Sequence, residues 1–139
     1  ARGAHRTFLA ECSSLGLTVA ISISNAIVLN CIRDGKRAFC GGMDPTAAIS
    51  AIVREAREFA QTILMWLIGN ELDLAIASSI IRGENHTIAK NRVAAAAITV
   101  ARELVQAENK VGWPSSLRPM IASPMSFAIL SWSACKGLP

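Results

Sequence analysis

Three cationic side chains fall within five residues, Arg33, Lys36 and Arg37, on either side of Asp34-Gly35. Cations at the tip of a turn can sit on the phosphates of RNA or DNA, and a twisted two-stranded ribbon can carry them into a groove. These three are therefore the candidate nucleic-acid-binding residues. An ordinary charged turn that protects a strand edge has the same composition. Phe39 is the only neighbouring aromatic that could stack on a base, which argues against single-strand binding. Directly after it, Cys40-Gly41-Gly42-Met43-Asp44 forms a Gly-rich approach to a helix start. Backbone N–H groups there could hold an anion, but a capping Asp44 carboxylate would occupy those donors itself.

Groups able to run acid–base chemistry are few. The chain has two histidines, His5 and His86, and His86 sits in the polar link Glu84-Asn85-His86-Thr87. An enzyme would need a pocket that brings His86 to a carboxylate. Glu55 and Glu58 share a helix face with Arg54 and Arg57, the pattern of short-range ion pairs in solvent. Glu71 and Asp73 sit at a helix start, where negative charge is favoured by the dipole. No nucleophile elbow, phosphate loop or dinucleotide fingerprint occurs. Cys12, Cys31, Cys40 and Cys135 show no CxxC spacing, so they read as buried thiols rather than metal ligands. No catalytic residue, metal site or cofactor is assigned.

The elements that must position these residues can be read from periodicity. Phe8, Leu9 and Cys12 mark a short helix from Ala4 to Leu15, stopped by Gly16. From Leu17 the β-branched residues take over: Val19, Ile21 and Ile23 alternate with Thr18, Ala20, Ser22 and Ser24. The run to Arg33 is too long for one strand, and a break at Ser24-Asn25-Ala26 predicts strands over 17–23 and 27–33. Asp34-Gly35 then predicts a type I′ hairpin turn, with Cys31 and Cys40 in diagonal positions about 7–8 Å apart, too far for an unstrained disulfide.

Asp44-Pro45 is an N-cap followed by proline at the first helical position. Ile49, Ile52, Val53, Ala56, Ala60, Ile63, Leu64 and Leu67 continue at helical spacing, which predicts a helix to residue 67 stopped by Gly69-Asn70. A second helix is expected over Glu71–Arg82, with Leu72, Ala75, Ile76, Ser79 and Ile80 on one face. A third is expected from Thr87 to Lys110, apolar all round at residues 93–101 and so enclosed by neighbours. Residues 126–134 suit a closing strand or a short buried helix.

Between the turn and the helix start, "RDG" followed by "CGGMDPTAAISAI" resembles the turn, glycine and Met-Asp helix start of HutP-type RNA-binding antiterminators. The resemblance spans Arg33 to Ile52, and it implies RNA as partner. The metal-binding histidines that this family carries on the next helix have no counterpart in "NELDLAIASSII", and membership is not inferred.

Composition bounds the rest. At 139 residues the chain has the length of one domain, 1–139. Hydrophobic residues make up 52%, charged residues 17%, and mean hydropathy is +0.39. So few charges leave apolar surface on a lone copy, which points to a homo-oligomer. The net charge is +4 and ten of the fourteen basic residues are arginine, the side chain suited to bidentate phosphate contacts. Residues 12–32 are uncharged and long enough to span a bilayer, but their serines, asparagines and period-two alternation argue against it. With no secretory signal pattern at the start, a cytoplasmic location is expected.

The expected fold is α+β: a small antiparallel sheet over residues 17–41 packed by three or four helices, with an all-α bundle as the alternative. The expected function is a non-enzymatic, homo-oligomeric binding or assembly protein that contacts an anionic partner, RNA or DNA, through Arg33, Lys36 and Arg37. The alternatives are a shell or filament subunit and a small-molecule enzyme with a pocket near His86.

Overall fold

The computed structural model describes residues 2–31, 44–113 and 120–122. Its elements run α1 (Arg2–Ser14), β1 (Val19–Ile23), α2 (Asn25–Asn30), α3 (Pro45–Ala56) with a 3-10 turn at Arg57–Phe59, β2 (Ile63–Ile68), α4 (Leu72–Ile81), α5 (His86–Lys110) and β3 (Met120–Ala122). The fold is mixed α and β, a small sheet packed by helices. The sheet has the order β1-β2-β3, and both pairs are parallel.

That direction corrects the expected antiparallel sheet. The strand expected over 17–23 is present as β1, but its partner is β2, and the segment expected as the second strand begins as α2. A parallel neighbour cannot be reached through a two-residue turn, so the chain must leave the sheet and cross one of its faces. Ser24, extended at φ −63° and ψ 149°, opens α2, and Ile27 and Val28 are buried in the core. Burial overrides the strand preference of their β-branched side chains. The Asp34-Gly35 turn and the rest of the expected hairpin lie outside the described residues, as does the segment 126–134.

The helix expected to run to residue 67 is the second correction. It starts as expected, with the Asp44 carboxylate accepting from the Thr46 N–H at 3.1 Å and Pro45 in the first turn. It ends at Ala56, and "ILMWLI" is β2. A continuous apolar run of six suits a central parallel strand covered by its neighbours, and helical spacing alone does not separate the two states. Gly69-Asn70 therefore ends a strand. Two strands where helix would be needed also remove the all-α alternative.

The β1–β2 register passes over Leu64, pairing Val19 with Ile63 and Ala20 with Met65. This bulge puts Val19, Ile21, Ile23, Ile63, Trp66 and Ile68 on one side of the sheet. The helices cover that side: α3 packs on α5, α2 contacts both, and α4 packs on α5. In a sheet of order β1-β2-β3, successive crossovers of the same hand carry their helices over the same face. The middle of α5 is enclosed on one side, with Val93, Ala94, Ala96, Ala97, Val100, Ala101 and Leu104 all buried, whereas Ala95 and Thr99 are exposed, so the enclosure expected all round 93–101 is only partial. Its alanines let α3 and the sheet approach closely. Among the described residues no helix is long and apolar enough to cross a membrane. Residues 12–31 divide among the end of α1, β1 and α2.

At the centre, Trp66 of β2 and Glu108 of α5 are both 0% exposed, and the indole N–H donates to Glu108 Oε1 at 2.6 Å. Trp113 meets Trp66 edge-on, with ring centroids 5.8 Å apart and planes at 67°. The Trp113 backbone N–H donates to the Glu108 carbonyl at 2.8 Å. A buried indole needs an acceptor, and leaving it without one costs about 1–3 kcal/mol. Glu108→Leu is accordingly expected to lower unfolding free energy by about that amount, while Glu108→Gln, which keeps a carbonyl oxygen at the same reach, costs less. Urea melts followed by Trp fluorescence give the comparison.

Candidate functional site

The candidate nucleic-acid contacts Arg33, Lys36 and Arg37 lie outside the described residues, and so do Cys40 to Met43. Asp44 is described, and its bond to the Thr46 N–H shows the carboxylate acting as the cap of α3. Cys12 is a buried thiol on α1 and Cys31 is half-buried after α2, while Cys40 and Cys135 lie outside the described residues. Among the described residues no three His, Cys, Asp or Glu side chains gather as metal ligands.

His86 is the first residue of α5 and is exposed. Asn85 caps that helix, its side-chain oxygen accepting from the N–H groups of Thr87 and Ile88. The nearest carboxylate in sequence, Glu84, is held by Arg92, whose Nη2 lies 2.5 Å from Glu84 Oε2. The same nitrogen donates to the buried Ser79 hydroxyl at 3.2 Å, and Arg82 reaches Ser79 Oγ at 3.4 Å. A hydroxyl that receives two guanidinium donors, beside a carboxylate already paired, has no base to activate it. The cluster ties the end of α4 to the start of α5. Its members come from two helices and the turn between them, so no single helical period in the sequence joins them.

Glu58 also finds a partner that local spacing does not show. It pairs with Arg6 of α1 rather than with its arginine neighbours. Both side chains are more than half exposed, so the pair orients α1 against the 3-10 turn and adds little stability.

At the C-terminal ends of β1 and β2 the backbone is clamped. The Asn25 Nδ2 donates to the Asn70 carbonyl at 2.5 Å, and the Asn70 N–H donates to Asn25 Oδ1 at 2.6 Å. Gly69 sits at φ +72°, and a Cβ there would come within 2.6 Å of Leu72 Cδ2. Glu71 then takes the left-handed conformation at φ 48° to open α4. In open sheets this edge is where ligands bind, but here Asn25 fills the space between the two strand ends with its own amide.

Among the described residues, large apolar side chains are exposed at Phe8, Leu15 and Leu17 around the end of α1 and, in an uncharged stripe, on α4. "LDLAIASSII" turns Leu72, Ile76 and Ser79 inward and leaves Leu74, Ala77, Ser78 and Ile81 exposed. Those four stand at i, i+3, i+4 and i+7, the seam spacing of a packed helix, with no charge among them. Leu74 is 58% and Ile81 85% exposed. Ile80 and, at the start of α5, Ile88 are exposed as well. On the far side of the sheet Ala20, Ser22 and Leu64 are exposed and Met65 and Leu67 half-buried. Of the inward face expected for α4, Leu72, Ala75, Ile76 and Ser79 do turn inward, but Ile80 is exposed, and the sequence pattern did not single out the outward face. The available signal was Leu74 and Ile81, seven residues apart, in a helix whose only charge is Asp73.

Asn25→Ala removes both bonds to residue 70. It is expected to speed hydrogen exchange of the Asn70 amide selectively and to cost about 1–2 kcal/mol in stability, read by exchange-detected NMR and a denaturant melt.

No protein-family model matches the chain, and neither does any curated protein or solved structure.

Proposed function

We propose that this chain is a non-enzymatic, self-associating binding or assembly protein that contacts an anionic partner, RNA or DNA, through Arg33, Lys36 and Arg37. The observation that carries the self-association is the exposed, uncharged face of α4, Leu74 to Ile81, on a helix that would otherwise be expected to be enclosed. Support for the anionic partner comes from the sequence: a net charge of +4 carried mainly by arginine, with three cations inside five residues. A shell or filament subunit would share the self-association without the anionic partner. The enzyme alternative draws no support from His86, which is exposed, while the carboxylate two residues before it, Glu84, is engaged by Arg92.

Size-exclusion chromatography with light scattering and absorbance at 260 and 280 nm, at low and high salt, tests the reading. The expected result is an oligomer that carries nucleic acid and sheds it as salt rises. Replacing Arg33, Lys36 and Arg37 together by Ala is expected to weaken binding and to flatten the slope of log affinity against log salt by roughly 2–3 units, for three lost phosphate contacts. Unchanged affinity and slope would remove the role given to the three cations. Large particles free of nucleic acid would favour the shell reading.

A further inference from the structure

We propose that two copies of this chain associate through α4, laid antiparallel about a twofold axis that passes near Ala77 and Ser78. This rests on the self-association reading above and names its seam.

The exposed stripe of α4 has a centre and two ends. Ala77 and Ser78 are the small residues in the middle, and Leu74 and Ile81 stand one turn away on either side. A twofold contact is self-complementary, each residue i meeting j while j meets i. Reversing one copy about the centre sets Leu74 of each chain against Ile81 of the other. The small central residues let the two helix backbones approach, and the large apolar side chains fill the seam beyond them.

Charge follows the same symmetry. Glu71 and Asp73 lie at the start of the helix and Arg82 directly after its end. The antiparallel arrangement brings the acidic start of one copy beside the basic end of the other, and it also opposes the helix dipoles favourably. A parallel arrangement would stack acid on acid. The same pattern speaks against a lipid surface as occupant, because an interfacial helix carries Lys and Arg along its polar flanks. Here the flanks offer one arginine and an acidic start. Ten residues of helix span about 15 Å, and Ile80 and Ile88 extend the apolar area at one end. Such a contact falls short of the roughly 1,600 Å² of a standard stable interface, so a reversible dimer with a dissociation constant on the order of micromolar is expected.

Sedimentation equilibrium across a range of protein concentrations, on the full chain, provides the test. The expected result is a wild-type dimer whose dissociation constant rises by roughly tenfold or more in Leu74→Glu/Ile81→Glu, because like charges are then forced together in the seam. Arg82→Glu is expected to weaken the dimer, and Arg82→Glu combined with Asp73→Lys to recover it. A wild type that stays monomeric overturns both the seam and the self-association reading. A wild-type oligomer that Leu74→Glu/Ile81→Glu leaves intact overturns the seam alone. If the glutamate variant loses its helical circular dichroism, cysteine cross-linking decides instead. Ala77→Cys is expected to give a reducible covalent dimer absent from the wild type and from Gln106→Cys on the exposed side of α5. Failure of Ala77→Cys to cross-link above those controls overturns the seam.

Discussion

The parallel pairing of β1 with β2 is the constraint on which the rest of the structure depends. Parallel strands force the chain to cross a face of the sheet between them, and that requirement accounts for α2 and α3. The same requirement between β2 and β3 accounts for α4 and α5. Because α3 packs on α5, both crossovers load one face, and that face has to absorb two layers of helix against a narrow sheet. The alanine-rich middle of α5 makes this possible, since larger side chains at Ala94, Ala96, Ala97 and Ala101 would hold the layers apart.

Trp66 stands where these requirements meet. It lies on the central strand, faces the helices and is fully buried, so its indole N–H must find an acceptor inside the core. Glu108 supplies it from the last turns of α5. The bond fixes the rotation of a long helix whose alanine face would otherwise offer little to choose between neighbouring positions. Specificity here comes from a polar contact set in the core, with Trp113 closing over it. α4, in contrast, packs on α5 with one side only and keeps a second apolar side facing out.

Much of the helical half was legible in the sequence, for reasons that are local. Asp44-Pro45 is a cap with its own hydrogen bond, and α1, α4 and α5 lie close to their expected bounds, although the Asn85 cap of α5 was not read from the sequence. The strands were only half legible. Alternation identified β1, while α2 hid behind β-branched residues whose burial decides their state. β2 hid inside a helical pattern because "ILMWLI" satisfies every period at once. Strand direction depends on which distant segment supplies the partner, and that is not written in either strand. Of the proposed functional surface, the cations at Arg33, Lys36 and Arg37 are legible as charge. The outward face of α4 became visible only when the inward face was known.

The register that joins Val19 to Ile63 also has a kinetic meaning. Helices α4 and α5 follow one another through a short turn and can form from local contacts, but β1 gains its partner only after the whole first crossover has been closed. Long-range parallel pairing of this kind slows folding because loop entropy is lost before contacts repay it. Until then the apolar residues of β2 lack the strand on that edge, since β3 pairs only with Trp66, Leu67 and Ile68 on the other. The chain therefore passes through an interval with "ILMWLI" only partly covered, and the time taken to close that crossover contributes to how long it must be kept from sticking to its neighbours.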